Sequence, residues 1–186
     1  MNDLTECAIR DALKSLLKEK PLSRITIRDI SERCGISRMT FYYHFRDIYD
    51  LIARMVSSSI MEIVSSHRDI DTWEEGMLAI FKAVEDESVL ILNTVSSIPR
   101  AQLERILTGP VEELILSVIS DDGRSQDIRE DDREFIASFY SYAFIGILLD
   151  WIQSGMAEDP EIIMDRIEKV MDGAFERAVS SFSLNR

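Results

Sequence analysis

The sequence predicts an all-α protein in which an N-terminal three-helix helix-turn-helix domain, residues 1–46, precedes a helical bundle, residues 47–186. Three observations lead to this prediction. Apolar residues recur at intervals of three and four along most of the chain, which is the period of an amphipathic helix. The 186 residues are 46% hydrophobic and include only 7 Gly and 4 Pro, so few breakers interrupt that pattern. Residues 24–50 also carry start and stop signals for two short helices joined by a tight turn.

The first helix is predicted from about Leu4 to Glu19, and Lys20 and Pro21 end it. Five apolar residues lie at core spacing along it, namely Ala8, Ala12, Leu13, Leu16 and Leu17. The second helix, Ile27–Cys34, begins with a capping box.

That capping box is formed by Thr26 and Asp29, and in it a side-chain oxygen accepts a hydrogen bond from a free backbone N–H at the helix start. Gly35 follows the helix, where a left-handed residue without a Cβ ends it at little cost. Ser37 is placed to cap a third helix over Arg38–His44. Two tightly joined short helices are therefore predicted here.

The third helix is expected to bury Phe41 and Phe45, which are four residues apart, share a face and point inward together with Ile30 and Ile36. The remaining side chains of this helix are then predicted to face solvent or DNA: Arg38, Met39, Thr40, Tyr42, Tyr43 and His44.

An exposed surface of this composition suits the major groove of DNA. A tyrosine hydroxyl can bond a phosphate while its ring packs on a sugar or a thymine methyl group. Arg38 can make two parallel bonds to guanine O6 and N7. Arg46 follows the helix and is placed for a phosphate. The alternative is a small helical corner whose surface is merely decorated with such residues.

The rest of the chain reads as further helices. The predicted segments are a fourth helix from Asp47 to about His67, a fifth capped by Asp71 or Thr72, a short buried helix at Val89–Val95, helices at Ala101–Leu107 and Val111–Ile119, an acidic loop at Asp121–Arg133, and two long helices at Phe135–Met156 and from Pro160 to about Phe182. The fourth helix would link the DNA-reading part to the bundle.

The net charge of −13 is divided unevenly along the chain. Residues 1–55 hold 10 Lys and Arg against 8 Asp and Glu, whereas residues 56–186 hold 11 against 26. The net charge is therefore +2 for residues 1–55 and −15 for residues 56–186. An acidic body either confines phosphate binding to one face or simply aids solubility.

Other classes of function find little support. Cys7 and Cys34 have no metal-ligand spacing and are expected to be small, partly buried core residues rather than a redox pair. The two histidines, His44 and His67, lack the arrangement of a catalytic site, so no enzyme, cofactor or metal is expected. The longest apolar run, Ala143–Leu149, is too short to span a bilayer, so a cytoplasmic protein is expected.

The segment from Thr26 to Phe45 resembles the N-terminal domain of TetR-type transcriptional regulators. The matching residues are Thr26, Ile27, Ile30, Ser31, Cys34, Gly35, Ile36, Ser37, Thr40, Phe41, Tyr42, His44 and Phe45. The resemblance implies that Thr40, Tyr42 and His44 anchor phosphates and that Arg38 and Met39 face bases. The predicted DNA-binding residues are Thr26, Ser37, Arg38, Met39, Thr40, Tyr42, Tyr43, His44 and Arg46. Ile48 stands where the family often has a phosphate-binding lysine.

The helix predicted at Phe135–Met156 is apolar almost all round, so it must be buried on two sides. A second copy of the chain is the simplest cover for the outer side, and a monomer that buries the helix by itself is the alternative. The predicted interface residues are Phe139, Tyr142, Gly146, Trp151, Ile163, Ile167, Met171 and Phe175. Such a homodimer would read a palindromic operator.

The resemblance also implies an inducer pocket among the fourth to eighth helices. Aromatic and methionine side chains there suit a small apolar or aromatic effector, although most such residues are ordinary core. The predicted pocket residues are Met55, Met61, Trp73, Met77, Phe81, Phe139, Tyr140 and Phe144. The C-terminal half resembles the subgroup that includes activators of dihydroxyacetone kinase operons, in which a kinase-like co-activator protein binds the regulator. A protein co-activator is therefore the second hypothesis, and repression and activation both stay open.

Overall fold

The computed structural model describes residues 2–66, 73–121, 128–171 and 173–182, and these form an all-α protein. The helices are α1 Asn2–Glu19, α2 Ile27–Cys34, α3 Arg38–His44, α4 Ile48–Ser66, α5 Trp73–Asp86, α6 Ser88–Val95, α7 Arg100–Asp121, α8 Glu130–Gln153, α9 Pro160–Met171 and α10 Ala174–Ser181, with a 3₁₀ turn at Leu22–Arg24. The all-α prediction is confirmed. The proposed caps at Asp71 and Thr72, the end of α4 at His67 and residues 122–127 of the acidic loop lie outside the described residues.

The first three helices pack around a small apolar core. α1 contacts α2, and α2 contacts α3. Ile9, Leu13 and Leu17 on α1 are fully buried together with Ile30 on α2 and Phe41 on α3. Contacts among side chains that are so completely removed from water provide most of the stability of such a unit.

Local hydrogen bonds define the ends of α2. The Asp29 backbone N–H donates to Thr26 Oγ1 at 3.2 Å, and the Thr26 N–H donates to Asp29 Oδ2 at 2.9 Å, so the predicted capping box is present. These bonds from Thr26 and the Lys20 ammonium at 3.1 Å lower the pKa of the Asp29 carboxyl. Gly35 ends the helix with φ 71°, the left-handed conformation predicted for it.

The remaining helices form the body of the molecule. α4 packs against α5 and α7, α7 against α8, and α5 against α9. Its centre holds fully buried side chains from three helices, namely Phe81 of α5, Leu114 of α7 and Ile145 and Leu149 of α8.

One continuous helix, α7, replaces the two that were predicted on either side of Gly109 and Pro110. A proline inside a helix removes one hydrogen bond and disfavours helical geometry in the preceding residue, because its ring meets that residue's Cβ. Residue 109 is a glycine and has no Cβ, so the helix passes through this point. The predicted break was therefore wrong.

The ends of the last helices also differ from prediction. α8 begins at Glu130 rather than at Phe135, with Asp131 and Asp132 also in its first turn, where carboxylates interact favourably with the helix dipole. The final helix is not continuous to Phe182 but breaks between α9 and α10 at Gly173, which has φ 60°. A single helix cannot include a left-handed residue of this kind.

Among the described helices, α8 is the one that is long and apolar enough to cross a membrane by length and composition. Half of its most apolar stretch is buried inside the protein, against neighbours that include α6 and α7. A central core helix of a globular protein satisfies the same criteria, so this is weak evidence for a membrane span.

The N-terminal helices are joined to the body by a second route besides α4. The Asn93 side-chain N–H on α6 donates to the Leu17 carbonyl at 2.8 Å, and Lys14 Nζ lies 3.5 Å from Glu87 Oε1. The Ser23 N–H also donates to Ser97 Oγ at 3.1 Å. Only the connection through α4 was predicted. Any tilt of the N-terminal helices relative to the body must therefore change the contact between α1 and α6.

Candidate functional site

The exposed side of α3 is the first candidate site. Met39 and Tyr43 are 83% and 76% exposed, Tyr42 and Arg38 are exposed, and Thr40 is half-buried. A short helix that leaves two tyrosines and a methionine in water is unusual, because each exposed side chain forgoes the stabilisation that burial of its apolar surface would give. These side chains are therefore available to a partner.

Buried aromatic rings hold α3 in this orientation. Phe41 and Phe45 are almost fully buried, with ring centroids 5.8 Å apart, as predicted from their spacing. The Tyr42 ring meets the Phe41 ring edge-on at 5.8 Å. The Arg54 guanidinium of α4 lies 5.2 Å from the centre of the Phe45 ring. The exposed side of the helix is thus fixed by contacts on its opposite side.

His44 was predicted to face solvent or DNA, but its side chain is buried. Its Nδ1 lies 3.3 Å from Glu6 Oε1 on α1. It is three residues after Phe41, so it falls about 60° around the helix from that buried ring, closer than Tyr42 or Tyr43. In this structure His44 links α3 to α1. Its exposure was predicted wrongly.

The hydroxyl groups near the helix starts are already engaged. Ser37 Oγ accepts a hydrogen bond from the Thr40 N–H at 3.0 Å and lies 2.9 Å from Thr40 Oγ1, so Ser37 caps α3 as predicted. Thr26 is occupied in the capping box of α2. Arg46 is exposed, and its Nε lies 3.5 Å from Asp47. Exposure makes Arg46 available to a phosphate, whereas Ser37 and Thr26 shape the helix starts.

The two cysteines occupy different environments. Cys7 is exposed, contrary to the expectation of a core residue, because it lies on the outer side of α1. Cys34 is half-buried, and its thiol donates to the Ile30 carbonyl at 3.1 Å. Burial raises the pKa of the Cys34 thiol. Within the described residues, no cluster of three His, Cys, Asp or Glu side chains could hold a metal ion.

Two cavities of the body are lined by residues that the structure describes. The junction cavity, of about 500 Å³, lies between α1 and helices α4 to α8, and the outer groove, of about 600 Å³, lies between α5, α8 and α9. Both volumes are typical of small-molecule sites. The junction cavity is defined by residues that include Lys14, Met55, Glu87, Ile91 and Leu149, and the outer groove by residues that include Met77, Tyr140, Phe144, Trp151 and Ile167.

The predicted pocket residues do not share one cavity. Met55 lines the junction cavity, whereas Met77, Tyr140 and Phe144 line the outer groove.

Three of the others, Phe81, Phe139 and Met61, line neither cavity. Phe81 is fully buried, with its ring edge-on to Phe144 at 5.6 Å, and Phe139 is 61% exposed. Met61 is half-buried on α4 and is not part of either lining. The side chain of Trp73 lies outside the described residues. Helical spacing indicates which apolar residues share one face of a helix, but it does not indicate which other helices pack against that face.

The outer side of α8 carries an exposed apolar stripe. Phe135, Phe139 and Tyr142 are each about three-fifths exposed and follow one another at intervals of four and three, so they share a face. Gly146 continues this face, and apart from its chain neighbours and the backbone of its own helix, no atom lies within 4 Å of where its Cβ would be. On α9, Ile167 and Met171 are half-buried, and they also line the outer groove.

Two predicted interface residues instead belong to the core of the same chain. The Trp151 ring lies 5.1 Å from the Phe81 ring, and its Nε1–H donates to the Glu158 carbonyl at 2.7 Å. Ile163 is buried on the inner side of α9. The predictions for Trp151 and Ile163 were wrong because both lie on the inner sides of their helices. The Phe175 side chain lies outside the described residues.

Comparison with known proteins relates both parts of the chain to regulators. Residues 9–55 match the model of bacterial regulatory proteins of the tetR family, and residues 71–173 match the model of a transcriptional regulator C-terminal region. The chain is 24% identical over 154 residues to the HTH-type dhaKLM operon transcriptional activator DhaS of Lactococcus lactis, which covers 82% of this chain and 81% of DhaS. It is 26% identical over 172 residues to the HTH-type transcriptional regulator YxbF of Bacillus subtilis, which covers 90% of this chain and 44% of YxbF.

Solved structures show the same fold. The dihydroxyacetone kinase operon activator DhaS superposes with a TM-score of 0.67 at 20% identity, covering 96% of this chain and 98% of that one. The TetR family repressor AlkX from Dietzia sp. superposes with a TM-score of 0.64 at 19% identity, covering 92% and 97%. At identities this low, the similarity shows a shared fold and does not show that these proteins bind the same ligands.

Proposed function

Because the chain belongs to the tetR family of bacterial regulatory proteins and is a transcriptional regulator, we propose that it binds a palindromic DNA operator as a homodimer, under the control of an effector that acts on its C-terminal domain. In this proposal residues 1–46 read DNA and residues 47–186 regulate and dimerise. The protein acts in the cytoplasm, where its DNA target is found.

One observation carries the DNA-binding assignment, namely that α3 buries Phe41 and Phe45 while it exposes Arg38, Met39 and Tyr42. A rod about 10 Å wide fits the major groove, which is about 12 Å wide. Arg38 then reaches base edges, and the tyrosine hydroxyls donate to phosphate oxygens. His44, being buried, supports the helix from behind through Glu6.

Charge supports the same orientation. The net charge of +2 over residues 1–55 attracts the phosphate backbone, and the net charge of −15 over residues 56–186 repels it. The protein therefore approaches DNA through its N-terminal helices, and its affinity should fall as salt concentration rises.

The exposed stripe of α8 supports the homodimer. Phe135, Phe139 and Tyr142 form one exposed apolar face in the single chain, and a contiguous exposed apolar surface commonly marks a protein interface. A second copy that packs the same stripe across a two-fold axis covers it on both chains. Two copies of α3 spaced about 34–36 Å apart then read the two halves of a palindrome.

Capture of genomic DNA by the purified protein tests the DNA assignment. With a captured fragment, Arg38→Ala should weaken binding about 5- to 150-fold, the loss expected of one bidentate base contact, and should relax the base preference. Tyr42→Ala should weaken specific and non-specific DNA similarly, as loss of a phosphate contact does.

Arg105→Ala serves as the control, because Arg105 is an exposed arginine on α7 of the body. It should leave the affinity unchanged. Wild-type affinity and base preference in both the Arg38 and Tyr42 variants would show that α3 does not enter the groove.

A protein partner is the second candidate for control of this regulator. The chain is similar to DhaS, which is described as an activator, and an activator must act on other proteins to raise transcription. Val89 and Leu92, three residues apart on α6, are 57% and 39% exposed and offer a small apolar surface close to the α1 contact. Co-purification of one partner that changes transcription only when Val89 and Leu92 are intact would favour this candidate.

A further inference from the structure

We propose that the junction cavity binds an aliphatic cation, with the alkyl chain inside the cavity and the cationic head at Glu87. This inference rests on the proposed control of the regulator through its C-terminal domain and names the chemical class of the effector. It also identifies Lys14, on α1, as the side chain with which the ligand head competes.

The lining of the junction cavity determines what kind of body the ligand has. Of the 23 described residues that line it, 17 are apolar, and all of these are aliphatic or methionine. The outer groove, by contrast, is lined by three aromatic rings, Tyr140, Phe144 and Trp151. Aromatic rings favour flat ligands through ring contacts, whereas aliphatic walls gain only from apolar area. A flexible alkyl chain therefore suits the junction cavity.

The charged residues of the lining determine the sign of the head. They are three carboxylates, Glu62, Asp86 and Glu87, and one ammonium, Lys14. Asp86 and Glu87 are consecutive, at the junction of α5 and α6. A cation gains from this negative surplus, whereas an anion such as a carboxylate is repelled by it.

The contact between Lys14 and Glu87 is open to competition. Its N–O distance of 3.5 Å exceeds that of a well-formed charged hydrogen bond, and both side chains are about two-fifths exposed. The Arg33–Glu19 pair, which joins α2 to α1, is by contrast bidentate, with N–O distances of 2.8 and 3.0 Å. A ligand ammonium can thus replace the Lys14 ammonium at Glu87 at little cost.

This replacement connects the cavity to the N-terminal helices. Lys14 belongs to α1, and Glu87 immediately precedes α6. When the ligand takes the place of Lys14, the contact of α1 with α6 keeps the Asn93–Leu17 hydrogen bond but loses its ion pair. The position of α1, and with it that of α3, then depends on whether the cavity is filled.

Isothermal titration calorimetry with three ligands that share one chain tests the proposal on the full-length protein. The ligands are decyltrimethylammonium, decanoate and decanol, each kept below the concentration at which it forms micelles. The ammonium should bind most tightly and decanoate most weakly. Equal or tighter binding of decanoate, or no binding by any of the three, would overturn the proposal.

Two charge substitutions have opposite expected effects. Glu87→Gln should weaken binding of decyltrimethylammonium about two- to fivefold, the range of a charge pair near the surface, and Lys14→Gln should strengthen it by a similar factor. Glu85→Gln is the matched control, because Glu85 is exposed on α5 but does not line the cavity. Equal affinity in all three variants would place the ligand head elsewhere.

A size substitution tests the location of the alkyl chain. Ala83 is exposed at the edge of the cavity lining, so Ala83→Leu should fold normally and place its side chain in the cavity. The overpacking should weaken binding of decyltrimethylammonium about tenfold. Ala101→Leu is the control on the exposed side of α7 and should have no effect. Unchanged affinity in the Ala83 variant would show that the chain binds outside the junction cavity.

These outcomes separate the inference from the proposed function. A protein that binds genomic DNA but none of the three ligands remains a regulator, and the cavity assignment fails. A protein that binds the ammonium at Glu87 but no DNA would instead confirm the cavity assignment and contradict the proposed function.

Discussion

Replacement of Gly146 by alanine distinguishes a dimer from a monomer by the sign of its effect. Gly146 lies in the interior of α8, where glycine is unfavourable, and its Cβ position is empty in the single chain. Nothing within one protomer therefore explains a glycine at this point. In the proposed dimer the explanation is the close approach of the partner's α8, as expected from the stripe formed by Phe135, Phe139 and Tyr142.

The two arrangements predict different magnitudes. In an isolated chain, Gly146→Ala adds about 0.8–1.0 kcal/mol to the free energy of unfolding, the difference in helix propensity. For a protein of this size this raises the melting temperature by roughly 2–4 °C. In a close-packed dimer, an added methyl group costs about 1–3 kcal/mol of overpacking, which outweighs that gain. The dissociation constant of the dimer should then rise about 5- to 150-fold.

Sedimentation velocity over a dilution series measures the dissociation constant, and differential scanning calorimetry measures the melting temperature. The same substitution should be tested in a Phe139→Asp background, in which an interfacial charge keeps the chains apart. There Gly146→Ala should only stabilise. If Gly146→Ala raises the melting temperature of the otherwise wild-type protein and leaves its association unchanged, no partner helix approaches Gly146.

Three further predictions concern the N-terminal helices. Because the pKa of Asp29 is lowered in the folded state, its ionised carboxylate stabilises the fold fully at neutral pH, and this stabilisation is lost as pH falls through the folded-state pKa. The difference in melting temperature between wild type and Asp29→Asn should therefore shrink between pH 7 and pH 3. The cap formed by the Thr26 hydroxyl remains over this range. Phe41→Ala should lower the free energy of unfolding by about 3–5 kcal/mol in urea titrations followed by circular dichroism, because a fully buried ring is lost, and a loss below 1 kcal/mol would contradict its central position. Iodoacetamide should modify exposed Cys7 well before Cys34, whose thiol pKa is raised by burial, and peptide mass spectrometry showing the reverse order would contradict these environments.

The N-terminal helices could be predicted in detail because their signals are local. The capping box of Thr26 and Asp29, the left-handed Gly35 and the cap at Ser37 each act within four residues. The spacing of Phe41 and Phe45 then defines the buried side of α3 from a short stretch of sequence. Hydrogen bonds and side-chain faces of this kind depend little on the rest of the molecule.

The body could be predicted only as far as its helices. Trp151 was correctly predicted in an apolar helix but was assigned to the wrong side, because its inner position depends on Phe81, 70 residues earlier. Gly109 and Pro110 together looked like a break, yet a glycine without a Cβ allows α7 to continue. Helical periodicity reports that a face is apolar, and it does not report which helix covers that face.

The sequence alone determined that this chain is helical, that α3 turns Arg38 and Tyr42 outwards, and that acid is concentrated away from that surface. The tertiary structure decided the contacts between distant residues, such as His44 with Glu6 and Lys14 with Glu87. Local hydrogen bonds and helical period are properties of a few neighbouring residues, whereas a cavity or a contact between helices exists only once the whole chain has packed.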